Sequence, residues 1–250
     1  MSEPQGTAFL GLRFDVVTLD EIATDILANT DGPFKYVVTP NVQHMVAMLE
    51  PGANLKPLYL SAWRVLCDSR VLHRLALSRG VRLEVVTGSD LSAELLRRVS
   101  RSGLPVAIVG PSEEDCAKLA QRYPGLQYKC YQPPLGFINS EHEVARTIDF
   151  VVKTSAPLVF LGVGMPRQEQ LASRLRDEPN AQGVGLCIGA SIDFLIGKQA
   201  RAPMWMQQAG IEWLHRLVTN PVRLGRRYLI DCPKIFYFMY MESRGRLDRS

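Results

Sequence analysis

The sequence predicts an α/β fold: a Rossmann-like, mostly parallel sheet with helices on both faces over residues 1–200, followed by a C-terminal helical appendage over residues 201–250. Three observations lead there. Through the first 190 or so residues, short β-branched runs alternate with longer helical patterns, and Gly, Pro, Asp or Asn sits at each junction. Beyond Arg201 no strand pattern remains, only helical stretches punctuated by proline. The charge divides at the same place. Residues 1–200 carry 20 Lys/Arg against 21 Asp/Glu, whereas residues 201–250 carry 9 against 4, so the whole formal +4 belongs to the last fifth of the chain.

The elements follow in order. Thr18-Leu19-Asp20-Glu21 reads as a capping box, with Ile22, Ile26 and Leu27 behind it at helical spacing. Tyr36-Val37-Val38-Thr39 is a short strand, and Pro40-Asn41 opens a helix through Met48. Val65-Leu66-Cys67 is a weaker strand ending on Asp68. Thr87-Gly88-Ser89-Asp90 is a capped turn into the helix Leu91–Val99. Val106–Gly110 is a buried strand that hands over at Pro111-Ser112 to a helix reaching about Arg122. Leu126–Tyr131 is a strand closed by Pro133-Pro134, and the helix Glu141–Lys153 leads to the strand Leu158–Gly162. A helix from about Pro166 to Arg176 precedes the last strand, Val184–Gly189. In the appendage, Asn220-Pro221 is a helix start with Asn as cap and Pro in the first turn. Pro233 opens a helix whose Ile235–Met241 run is apolar on every side, which suits packing on the body or lying in a membrane interface.

Composition narrows the function. With 46% hydrophobic residues in 250 the chain can bury a core, and no apolar run reaches the eighteen or so residues of a bilayer span. The start Met1–Gln5 has neither a basic n-region nor an apolar stretch, so no secretory leader is expected. Five cysteines without a Cys-x-x-Cys pair read as reduced thiols of a cytosolic protein. Four scattered histidines and the lack of Asp-x-Asp offer a metal no seat, so neither metal nor cofactor is expected. A basic tail on a neutral body calls for an acidic partner: nucleic acid, an anionic membrane or phosphate groups.

The candidate site lies at strand ends, where α/β sheets hold their ligands. Asp68 is placed to act as a general base, or simply to form a turn or cap. Thr39 and Asn41 end a neighbouring strand, and there too a plain helix start is an alternative. After Leu161, the turn Gly162-Val163-Gly164-Met165-Pro166 runs into a helix start carrying Arg167, Gln168 and Glu169. Free amides there form an anion site, although every βα unit needs a tight turn. The turn is not a Gly-x-Gly-x-x-Gly fingerprint, which weakens a nicotinamide reading. In the appendage, Arg223 and Arg227 stand four apart and would share a helix face, suited to a diphosphate or to solvent. Trp205 and Trp213, interleaved with these cations, read as core or docking residues.

Taken in order, Val86–Leu91, Gly162–Glu169, Arg201-Ala202-Pro203, Gly210–Leu217 and Asn220–Tyr228 resemble the WecG/TagA/CpsF glycosyltransferases, glycosyltransferase family 26, from about residue 10 to residue 230. The resemblance implies a bacterial, metal-independent inverting transferase. It would move a hexose or N-acetylhexosamine from a UDP-sugar to a polyprenyl-diphosphate-linked acceptor in exopolysaccharide or cell-surface polysaccharide synthesis. It further implies a cytoplasmic enzyme, peripheral on the inner face of the cell membrane through its appendage and touching an anionic lipid surface. Position by position, Asp68 matches the catalytic base, and Thr39 and Asn41 match pocket residues at strand ends. Gln168 and Glu169, with Gly164 and Arg167 beside them, match the motif of the donor site. Arg216, Arg223 and Arg226 or Arg227 match appendage arginines that hold the leaving diphosphate. Where the family usually has Asp-Gly and small apolar residues, this chain has Asp68-Ser69-Arg70-Val71-Leu72-His73, so the donor stays open between N-acetylmannosamine and glucose-type hexoses. The oligomeric state stays open too, a homo-oligomer included. Two rivals belong to other classes. A nucleotide-sugar-binding oxidoreductase should show the missing glycine fingerprint. A nucleic-acid-binding module fits less well, because the cations interleave with aromatics in a way that suits lipid better.

Overall fold

A computed structural model describes residues 6–245; Met1–Gln5, the last five residues of the appendage and the side chain of Arg223 lie outside the described residues. The centre is a six-stranded parallel sheet in the order β4-β3-β8-β7-β5-β6. Its strands are β3 (Lys35–Val38), β4 (Arg64–Val65), β5 (Val106–Val109), β6 (Tyr128–Tyr131), β7 (Leu158–Leu161) and β8 (Val184–Cys187). Every residue of β5, β7 and β8 is buried, as expected of strands covered on both faces. The edge strand β6 is half-exposed and carries Tyr and Lys instead.

Two apolar layers cover the sheet. One contains α2 (Val42–Leu49), α4 (Arg70–Leu77), α7 (Glu141–Thr154) and α8 (Arg167–Arg176); the other contains α1 (Leu19–Leu27), α5 (Gly88–Ser102), α6 (Glu113–Arg122) and α9 (Ser191–Leu195). Their starts are fixed by local chemistry. Thr18 and Glu21 form the expected capping box, and Asn41, Ser69, Thr87 and Ser112 each accept a backbone N–H at the head of their helix. After β5 the chain turns outward through α6 to β6, whereas after β7 it crosses through α8 on the opposite face to β8. The connections therefore diverge between β5 and β7 and open a crevice at the carboxyl ends of these strands. Gly110, at φ 122°, is forced there, because a Cβ would lie 2.8 Å from the Gly162 carbonyl.

Some elements differ from the expectation. An antiparallel hairpin, β1 (Gly6–Phe9) and β2 (Leu12–Asp15), precedes α1; its strands are too short to stand out as a pattern. The strand before Asp68 contributes only Arg64–Val65 to the sheet, and Cys67 bridges Val85 instead. The expected strands from Leu126 and to Gly189 shorten to β6 and β8. Asn220 precedes the appendage helix but makes no side-chain capping bond. The 3₁₀ turn Phe137–Asn139 and α3 (Lys56–Leu60) complete the body.

The appendage comprises α10 (Met204–Gln208), α11 (Glu212–Thr219), α12 (Pro221–Arg226), a π turn over Arg227–Asp231 and α13 (Lys234–Ser243). Helix α13 returns to the body. Ile235, Phe238 and Met239 are buried in the same layer as α2, and Glu242 accepts the Leu10 N–H at 2.8 Å. Arg79 donates to the Met239 carbonyl at 3.3 Å. The all-round apolar helix thus has one face in the core, while Phe236, Tyr237 and Tyr240 on the other are more than half exposed. Among the described residues no helix is long and apolar enough to cross a membrane.

Candidate active site

Asp68 sits where the strand pattern placed it, at the carboxyl edge of the sheet. Its own amide donates to the Pro40 carbonyl at 3.0 Å, which seats it beside Thr39-Pro40-Asn41. Its Oδ1 accepts the N–H of Gly88, the first residue of α5, at 3.3 Å. Gly88 is tightly enclosed: a Cβ would lie 3.0 Å from Thr39 Oγ1 and 3.3 Å from Ser191 Oγ. Thr39 itself is buried, its hydroxyl donating to the Cys187 carbonyl at 3.2 Å, so it supports the wall from behind. Asn41 has two roles, capping α2 and lining the cavity in front of Asp68.

That cavity, about 390 Å³, lies between the sheet edge and the appendage. The body contributes Asp68, Ser69, Thr87 and Asp90; the appendage contributes Glu212, Trp213, Arg216, Arg227 and Tyr228. Arg201 ties the two together, donating to Ser89 Oγ and Asp90 Oδ1 at 2.9 Å each. Arg216 is held by Glu212, whose Oε1 receives its Nε at 3.0 Å and its Nη2 at 2.6 Å, and it lies 4.7 Å over the Phe194 ring. Arg227 stacks over Tyr228 at 5.2 Å, and its Nε is buried without a hydrogen-bond partner among the described residues. A buried guanidinium N–H left unpaired in a cavity wall suits an anionic ligand.

The electrostatics separate the acid from the cations. Burial pushes the Asp68 carboxyl up to about 7. The Arg216 guanidinium works against this and Glu212 with it; the Gly88 N–H opposes it and Asp90 adds to it. Asp68 thus exchanges its proton near neutrality, as a general base must.

The remaining expected residues are not all on this cavity. Arg226, the last residue of α12, points out at 83% exposure, 3.9 Å from Asp231. The Arg223 side chain, expected to share a face with Arg227, lies outside the described residues. Gly164 and Arg167 form the turn into α8, away from the cavity. Gln168 and Glu169 are 2% and 1% exposed and sit beneath the sheet edge. Burial pushes the Glu169 carboxyl up to about 7, and the bond from Gln168 opposes it. Trp213 lines the cavity, whereas Trp205 is exposed.

A second, smaller crevice of about 210 Å³ opens where the connections diverge between β5 and β7. Gly110, Gly162 and Gly189 form its floor, and Ser112, Asp115, Asp193 and Lys198 its polar walls. Lys198 pairs with Asp115 at 2.8 Å across it. Sequence reasoning missed Lys198 and Asp115, which are distant from each other in the chain. The local signals were Ser112, which heads α6 immediately after a buried strand and a Gly-Pro turn, and the small residues Gly189-Ala190-Ser191 that lead from the last strand to Asp193 and permit close approach of a ligand. Gly88 read as part of a cap, and its role as a donor to Asp68 emerges only from the fold.

Comparison with known proteins adds a lineage. The model of the glycosyl transferase WecG/TagA/CpsF family matches residues 7–249. An N-acetylglucosaminyldiphosphoundecaprenol N-acetyl-beta-D-mannosaminyltransferase from Bacillus spizizenii is 30% identical over 154 residues, 60% of this chain and 56% of that protein. The protein of the same name from Bacillus subtilis is 27% identical over 166 residues, 64% of this chain and 61% of its own length. The chain therefore spans less than two thirds of the length of these relatives.

Proposed function

The chain belongs to the WecG/TagA/CpsF glycosyltransferase family, and from that premise we propose that it is an inverting transferase that moves a hexose or N-acetylhexosamine from a UDP-sugar to a polyprenyl-diphosphate-linked acceptor. The observation that carries this reading is Asp68, titrating near neutrality and facing Arg216 and Arg227 across one cavity. Inversion needs a base that takes the proton of the acceptor hydroxyl on the side opposite the leaving group. Asp68 takes that proton as the new glycosidic bond forms. The bond from the anomeric carbon to the diphosphate breaks, and the two guanidinium groups receive the charge that develops on its oxygens. The polar crevice at the topological switch point suits the nucleoside end of the donor, with the diphosphate extending toward the arginines.

Residues 201–250 act in this scheme as an appendage that completes the site, since Glu212, Trp213, Arg216 and Arg227 all come from it. Closing it over the donor limits access of water to the activated sugar. Its exposed Phe236, Tyr237, Tyr240, Leu229 and Ile230, set among Arg and Lys, suit an anionic membrane surface on which the lipid acceptor resides. This makes the enzyme peripheral on the inner face of the cell membrane. The names of the Bacillus relatives make N-acetylmannosamine the first donor sugar to try and a polyprenyl-diphosphate-linked N-acetylglucosamine the first acceptor.

The test is a UDP-release assay over purified UDP-sugars, N-acetylmannosamine and glucose donors included, with a lipid-linked N-acetylglucosamine acceptor. Acceptor-dependent release with a β-linked product supports the proposal. If no UDP-sugar gives acceptor-dependent release, or if the product retains the anomeric configuration of the donor, the proposal fails.

A further inference from the structure

We propose that Gln168 and Glu169 are positioning residues for the nucleotide end of the donor, holding the Gly189 turn that floors the polar crevice without touching the ligand themselves. The inference rests on the reading of that crevice as the nucleotide seat.

The geometry is a relay of two hydrogen bonds. Gln168 Oε1 accepts the Gly189 N–H at 2.9 Å, and Gln168 Nε2 donates to Glu169 Oε1 at 2.8 Å. Gln168 stands in the first turn of α8, whereas Gly189 is the second residue beyond β8, so the side chain ties a helix start to the exit of the adjacent strand. Both side chains are buried, and neither lines the cavity or the crevice, so the nearest lining group they hold is the Gly189 turn. Gly189 does line the crevice, and its carbonyl lies 3.4 Å from where a Gly162 Cβ would stand, so the two turns are packed against each other.

Glu169 is needed because an amide has two ends. If the Gln168 amide were turned over, its NH₂ would face the Gly189 N–H, two donors in contact and neither satisfied. Glu169 Oε1 is an acceptor whether or not the carboxyl carries a proton on its other oxygen. It therefore selects the orientation that presents Oε1 to Gly189. The groups facing Glu169 are Tyr36 from β3, Tyr59 from α3 and Cys187 from β8, and burial pushes all three up, so they remain neutral neighbours. The pair Gln-Glu in this order thus sets the direction of one backbone amide at the mouth of the sheet.

The experiment measures UDP binding by calorimetry and steady-state donor kinetics on the full chain, with Gln168→Ala and with Glu169→Met, which nearly keeps the side-chain volume but removes the acceptor for Gln168 Nε2. UDP affinity is expected to fall roughly tenfold in Gln168→Ala, through the unsatisfied Gly189 N–H and the loosened turn. The donor KM should rise in parallel, with kcat at saturating donor within about threefold of wild type. Glu169→Met is expected to show the same split with a smaller loss, because the Gln168 amide is then free to turn over, and it serves alone if Gln168→Ala does not fold. Wild-type affinity in folded variants overturns the inference, and so does a fall in kcat with binding intact. If the unaltered chain itself binds no UDP, it is the nucleotide reading of the crevice that fails.

Discussion

The first amide of α5, that of Gly88, donates to Asp68 Oδ1 at 3.3 Å, so a helix on one face of the sheet grips the carboxylate whose own segment hangs from Pro40 at the sheet edge. Three segments meet at this point: the end of β3, the loop after β4 and the start of α5. Packing of the sheet against α5 is thereby converted into the aim of a single side chain. The helix start also turns its positive end toward the carboxylate, which moderates the effect of burial on its ionisation.

Asp68→Asn is expected to fold and to lose about 10²–10⁴-fold in kcat, because the amide cannot accept the proton of the hydroxyl. In the wild type, kcat/KM should rise with pH through about 7 as Asp68 ionises. The sign for stability is opposite. The folded carboxyl binds its proton more tightly than the unfolded one, so its contribution is full below about pH 4 and is lost as pH rises through about 7. The Asn variant should therefore be at least as stable as wild type at pH 8. Turnover and thermal melting across pH check both, and near-wild-type turnover removes Asp68 from the mechanism.

Gly88→Ala tests the enclosure of that amide. The new Cβ would stand 3.0 Å from Thr39 Oγ1, 3.3 Å from Ser191 Oγ and 3.8 Å from Ile188 Cα. Something must move, and the segment best able to move is the start of α5, which carries the N–H away from Asp68. A stability loss of about 1–3 kcal/mol is expected from overpacking, with a larger proportional fall in kcat. Denaturant titration beside turnover separates the two.

How much of this was legible in the sequence follows from what is local. Buried strands announced themselves as apolar runs, and caps such as Thr18 and Asn41 as dipeptides at helix starts, so the sheet order was missing but its components were not. Asp68 was legible as a candidate because a strand pattern ends on it, but spacing alone explained it equally well as a turn or cap, and its place beside Arg216 emerges only from the fold. Gln168 was legible as important yet misplaced, since its partner Gly189 is 21 residues away and no pattern links them. Spacing singled out Arg227 beside Arg223, but that Arg226 faces solvent while Arg227 is half-buried in the cavity wall leaves no mark in composition. The β1–β2 hairpin was missed for its four-residue strands.

Arg216→Ala is expected to lower kcat by about 10²–10³, the usual consequence of removing one preorganised donor from a developing oxyanion. It should also move the acidic limb of kcat/KM upward, because the guanidinium holds the Asp68 carboxyl down. Arg216→Lys should restore little of the rate, since a single ammonium replaces a two-pronged donor. Glu212→Gln should move the limb the other way by removing a negative charge. pH profiles of the three variants decide the matter, and a limb that does not move in any of them separates Arg216 from Asp68.

Membrane attachment through the outer face of α13 can be tested without opening the core. Truncation near Ala200 would be ambiguous, because it also strips Ile235, Phe238 and Met239 from the layer beside α2 and frees the Leu10 N–H. Tyr237 and Tyr240 are 58% and 51% exposed and, unlike Phe236, do not line the cavity, so replacing both by Ser removes apolar surface that already faces outward. Folding stability should change little, since these side chains gain little burial on folding. Each aromatic instead contributes to partitioning into a bilayer interface in proportion to the area it buries there, and adjacent cations add attraction to anionic headgroups. The double variant should melt within a few degrees of wild type, keep UDP binding, and lose flotation with vesicles of anionic phospholipid. Turnover should fall on a vesicle-borne acceptor but not on a short-chain, water-soluble one. Undiminished flotation would move the lipid contact to another part of the chain.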